Sequence, residues 1–164
     1  MTSEDEWYKA AYYKGGSTNA GYWDYPTSSD TAPGQDMADV SGNNANYYTA
    51  PYAFPIDSGK YTTVVGEFQN SDSPYGTFDQ GGNVFEWNEA VLYGWPVAHS
   101  SRGLRGGSFN NPDLVYSLLA SYRNSNPPTY EDGYWYGFRV SEVPEPASIV
   151  MLALGGLAVL RRRR

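Results

Sequence analysis

YGTFDQGGNVFEWNE, residues 75–89, is the stretch on which the reading of the chain turns. Asp79, Asn83 and Glu86 gather hard oxygen donors into a short segment, and Gly81-Gly82 let the backbone turn tightly enough for carbonyls to point inward. Calcium takes about six to eight oxygens, carboxylate and carbonyl mixed, at ~2.3–2.6 Å. The segment can supply such a set, although a polar hairpin turn leading into a strand accounts for the same residues.

Short apolar or alternating runs bounded by glycine or turn residues lie on either side, at 61–65, 84–87, 104–109 and 136–140, and read as strands. Upstream, Ser3 and Glu6 form a capping box, with acidic residues where the helix dipole favours them. Trp7, Ala10 and Ala11 follow at helical spacing, and Gly15-Gly16 supply a stop. From residue 15 to 46 the chain is dense in Gly, Ser, Thr, Asn, Asp and Pro with single aromatics, which predicts a long ordered loop. Residues 113–122 predict a helix, with Leu114 and Leu118 on one face after Pro112. No internal repeat is evident.

The chain has 164 residues, room for one ordinary domain. Residues 1–160 hold seven basic and eighteen acidic residues, a charge of −11. Such a body has no basic face to replace phosphate counterions, so nucleic acid is excluded as a partner and divalent cations are favoured. There is no cysteine, which removes disulfides and thiolate chemistry, and His99 is the single histidine, read as a loop residue. Sixteen Tyr and five Trp rule out wholesale disorder.

SEDEWYKAAYYKGG, ANYY at 45–48, YGTFDQGGNVFEW, LRGGSF and GFRV resemble, in order and approximate spacing, the C-terminal part of the formylglycine-generating-enzyme/sulfatase-modifying-factor family. The resemblance implies an α+β, irregular, loop-rich fold related to C-type lectins for residues 1–141. It also implies opening strands that would precede Met1, so the domain is expected to be N-terminally truncated. The family's oxidase holds copper with two cysteines just after the RGGS-aromatic motif; the corresponding positions fall near Asn111 and Tyr116. Copper is therefore not expected, and the chain reads as a non-enzyme rather than a formylglycine-generating or related oxidoreductase. A paired-carboxylate hydrolase built from Glu131 and Asp132 has little to support it.

The family's calcium sites carry over residue by residue. One maps to Asp79, the carbonyls of Gly82 and Val84, and Glu86. The other maps to Asn46, the Tyr47 carbonyl, Asp57 and Gly59, across a loop of different length. A calcium-stiffened binding or matrix module would use surface aromatics for glycan or envelope protein, and Trp23, Tyr47, Trp95, Tyr134, Trp135 and Tyr136 are the candidates. Trp7 and Trp87, inside motif segments, are assigned to the core.

Residues 142–164 form a separate tail. Residues 147–160, ASIVMLALGGLAVL, carry no charge and are followed by four arginines. As a helix this run spans about 21 Å, short of the roughly 30 Å hydrocarbon core. Basic residues beside an apolar helix mark the cytoplasmic side. With Pro144-Glu145-Pro146 in front, the ending resembles the PEP-CTERM sorting signal of bacteria that make extracellular polysaccharide. That resemblance implies export, retention in the inner membrane by the C-terminal hydrophobic helix, and clipping near 144–146 by an exosortase, with release to the cell surface or matrix. Such proteins begin with a signal peptide, and residues 1–10 contain none, a second expectation of missing upstream sequence.

Overall fold

The computed structural model describes residues 1–49, 61–92, 101–111, 114–130 and 133–141. These form an α+β domain in which one helix lies beside a mixed four-stranded sheet, and most of the other described residues lie in ordered loops.

Helix α1, Glu4–Tyr12, starts at Ser3, whose hydroxyl accepts the Glu6 N–H while the Glu6 carboxylate accepts the Ser3 N–H at 2.9 Å. Its inner face is Trp7, Ala11 and Tyr12, with Ala10 only half-buried. The helix ends at Tyr12, ahead of the glycine pair, because Tyr13 turns extended and opens strand β1, Tyr13–Gly15. Gly15 and Gly16, both at positive φ, instead turn the chain toward β2, Gly21–Tyr22, which pairs antiparallel with β1. Beyond β2 the expected long ordered loop is present, carrying isolated bridges such as Tyr25 with Ser29 and Gly34 with Asn44.

The main sheet is built from β3 (Phe85–Leu92), β4 (Ser101–Arg105), β5 (Asn124–Asn126) and β6 (Tyr136–Phe138), in the order β5-β4-β3-β6. The β5-β4-β3 pairs are antiparallel and β6 joins β3 in parallel. A bulge interrupts the β3–β4 register between Trp87 and Val91. Two small cores flank the segment around Leu118: Tyr25, Ala45, Tyr47 and Leu118 on one side, Trp7, Ala11 and Tyr12 on the other.

Three expected elements differ. Residues 61–65 make no strand; Val64 and Val65 are exposed, and the Thr63 N–H donates to the Asn83 side chain rather than to a ladder. The run at 104–109 stops at Arg105, where Gly106 and Gly107 turn left-handed and Phe109 N–H reaches the Asn83 carbonyl at 3.0 Å. In the 113–122 region the described helix is a short 3₁₀ segment, Leu114–Leu118.

Candidate functional site

The 75–89 stretch forms a turn that feeds β3. Asp79, Gly82 and Asn83 all take positive φ, +57°, +82° and +55°. At Gly82 the reason is contact: a Cβ there would sit 2.2 Å from the Asn46 carbonyl oxygen. Asn83 N–H donates to that carbonyl at 2.7 Å, and Asn46 Nδ2 donates to Asn83 Oδ1 at 2.7 Å. Asn46, expected in one calcium set, thus packs directly against residues of the other.

The two sets differ in what their oxygens already hold. Glu86 is buried; its Oε2 accepts from Trp7 Nε1 at 2.5 Å and from Arg139 Nε at 2.7 Å. Arg139 Nη2 also donates to the Phe78 carbonyl at 2.5 Å, so the guanidinium spans the two ends of the turn. Burial pushes the Glu86 carboxyl above its ordinary range, Arg139 and Trp7 pull it back, and nearby Asp79 pushes it up again. Asp79 Oδ2 accepts the Gly66 N–H at 2.7 Å. In contrast, Asn46 Oδ1 is buried with no hydrogen-bond donor. A hard cation would satisfy that one oxygen, while the Tyr47 carbonyl of the same set is held by Gln35; at Glu86 an ion would have to share the carboxylate with a cation the chain itself provides. Among the described residues, no three acidic or histidine side chains converge as a metal cluster.

The other expected site residues are dispersed. Tyr47 is buried in the core, its hydroxyl on the Pro33 carbonyl at 2.7 Å and its own carbonyl held by Gln35 Nε2, so it is not a surface platform. Tyr134 is exposed, packs edge-on against Trp135 at 4.5 Å and stacks beside Phe109, which in turn stacks on Tyr61 at 5.3 Å. Trp23 is half-buried under Lys14, whose Nζ lies 4.1 Å from the ring centroid. Asp57, Gly59, Trp95, His99, Glu131, Asp132 and Pro144-Glu145-Pro146 lie outside the described residues. The residues matching the oxidase cysteines separate by exposure: Asn111 is buried, Tyr116 open to solvent.

Sequence reasoning did not pair Arg139 with Glu86, although opposite charges in two separate motif segments were the available signal. It also assigned Trp87 wholly to the core. Trp87 is half-buried and forms one wall of a cleft of about 720 Å³ with Glu89, Arg102, Tyr130, Tyr136 and Phe138. The alternation of Tyr136 and Phe138 on an edge strand was the clue.

A loop-rich α+β domain with this glycine-laced turn, an Arg-Gly-Gly segment bonded to it and a Gly-Phe-Arg strand closing on its glutamate defines a class of domain. The chain matches the family model of the sulfatase-modifying factor enzyme 1-like domain over residues 1–143, and it belongs to that family. Residues 142–164 match the PEP-CTERM protein-sorting motif, which marks an exported protein processed by an exosortase-type enzyme. A search of curated proteins finds no match. Among the described residues no helix is long and apolar enough to cross a membrane, and the tail lies outside them.

Proposed function

We propose that the chain is a non-catalytic binding or matrix module of the cell envelope, stiffened by calcium and engaging glycan or envelope protein through exposed aromatics. The relation to C-type lectins belongs to this reading. The tail enters the inner membrane as a short apolar helix and holds the domain there until it is clipped.

The observation that carries the reading is the side-chain chemistry after the Arg-Gly-Gly segment. Asn111 and Tyr116 stand where the family's oxidase needs two thiolates, and neither supplies one. Asn111 Nδ2 instead donates to the Tyr122 hydroxyl at 3.4 Å, a structural use of the position. For calcium, the support is the donor-free Asn46 oxygen; Asp57 and Gly59 complete the set by the family's pattern.

The test is expression of the full chain in a host that has an exosortase. The expected product is a surface form clipped near Pro144-Glu145-Pro146 that retains an envelope glycan or protein and leaves a sulfatase Cys-peptide unmodified, with or without copper. Formylglycine above a buffer control overturns the non-catalytic reading. A tail that stays uncleaved, with Glu145→Ala making no difference, overturns the sorting.

A further inference from the structure

We infer that the cleft beside the β3 bulge is a binding site for a neutral oligosaccharide. This rests on the binding-module reading and names the ligand class and the site. The cleft, about 720 Å³, falls within the usual size of ligand pockets. It lies against β6, the edge strand of the sheet, where the bulge between Trp87 and Val91 swells β3. Bulges of this kind re-aim side chains and gather beside functional sites.

The lining is rich in aromatics and carries two charged side chains, Glu89 and Arg102. Trp87 and Tyr136 lie 5.4 Å apart with their planes tilted by 40°, and Tyr130 stands nearly perpendicular to Tyr136 at 6.2 Å. Phe138 is 66% exposed and Tyr130 46% exposed, so both are open to solvent although large and apolar. Tyr136 is fixed by Asn126 Nδ2, which donates to its hydroxyl at 2.6 Å, and Arg102 is steered by Nη1 donating to the Glu89 carbonyl at 2.7 Å.

Charge and polarity choose among ligands. Glu89 and Arg102 are the charged side chains of the lining, which also includes Met1, and they balance, so the side chains bring no net charge to recruit an ion, and the acidic body disfavours an anionic sugar. A wholly apolar guest would strip water from both charged groups without replacing those contacts. A neutral sugar ring meets both demands, with C–H faces against aromatic planes and hydroxyls toward one donor and one acceptor side chain.

The experiment is calorimetric titration of the full chain in mild detergent with neutral hexasaccharides (cellohexaose, maltohexaose and mannohexaose), with an oligogalacturonate hexamer as the charged arm. A neutral hexamer is expected to bind, and Phe138→Ala to weaken it about tenfold, the scale of one lost aromatic contact. Gly133 lines the same cleft, and a Cβ added there meets nothing within 4 Å, so Gly133→Phe places a ring at the cleft wall without crowding the backbone and is expected to weaken binding similarly. Both variants should melt where the parent does. Tyr134→Ala, in the other aromatic group, should bind normally. Loss in Tyr134→Ala with both cleft variants unaffected overturns the site and leaves the module reading standing. Preference for the galacturonate, no binding by any neutral hexamer, or envelope-protein retention that depends on the cleft while sugars do not bind, each overturns the inference.

Discussion

Glu86 and Asn46 approach one turn from two sides and meet opposite fates. Glu86 is closed by groups far away in sequence, 79 residues back at Trp7 and 53 forward at Arg139, and its charge is answered within the chain. Asn46 is as deeply buried, yet its side-chain oxygen meets no hydrogen-bond donor among the described residues. A buried acceptor without a donor costs about 1–3 kcal/mol. In the proposed reading, an outside cation answers that oxygen. At Glu86 the chain brings its own.

The largest effect should come from breaking the internal pair. Glu86→Ala leaves the part-buried Arg139 guanidinium without its carboxylate and the buried Trp7 Nε1 without its acceptor, together costing about 3 kcal/mol. Denaturant unfolding with calcium chelated should show this loss undiminished. If the loss appears only when calcium is present, the ion rather than Arg139 is the partner of Glu86 and the contrast collapses.

Calcium itself should come next. At a concentration a hundredfold above its dissociation constant, an ion that binds only the folded chain adds about 2.7 kcal/mol. The calcium-induced rise in melting temperature should vanish in Asn46→Ala and persist in Glu86→Ala, measured on each variant with and without chelator. The reverse pattern would move the ion to the Asp79–Glu86 turn.

Gly82 joins the two regions, and its replacement sharpens the contrast by wedging them apart. Gly82→Ala must hold a side chain at φ +82° and place it 2.2 Å from the Asn46 carbonyl. The cost should be about 2 kcal/mol, with the calcium response also weakened because Asn46 shifts. An unchanged response would show that the Asn46 oxygen is set independently of the turn.

How much of this was legible depended on range. The Ser3–Glu6 box, the strand through Phe85 and Glu86, and most of the ordered loop expected over 15–46, which the short strand β2 interrupts, follow from neighbours a few residues apart, and the structure has them. Residues 61–65 misled because β-branched residues favour strands only where a partner strand exists, and Thr63 found a side chain instead. The ion pair of Glu86 with Arg139 and the contact of Asn46 with Gly82 are set by tertiary closure, which no local pattern encodes. The cleft was missed for a related reason: Trp87 sits in a motif strand, but the bulge beyond it opens one of its faces.

The smallest effect concerns a second carboxylate, and it sets exposed against buried. Glu6 lies at the surface, and the Ser3 N–H and hydroxyl hold its carboxyl below the ordinary value of 4.5, opposite in direction to Glu86. A depressed value means that folding favours the ionised form. Its contribution is present above pH 4.5 and is lost as the pH falls through the lower folded value. Glu6→Gln keeps an oxygen for the capping box and removes the charge. The melting temperature of the parent should therefore exceed that of Glu6→Gln at pH 6, and the two should converge toward pH 3 as Glu6 protonates. Parallel curves across that range would mean that the Ser3 bonds do not distinguish carboxylate from amide, and that the cap is held by shape alone.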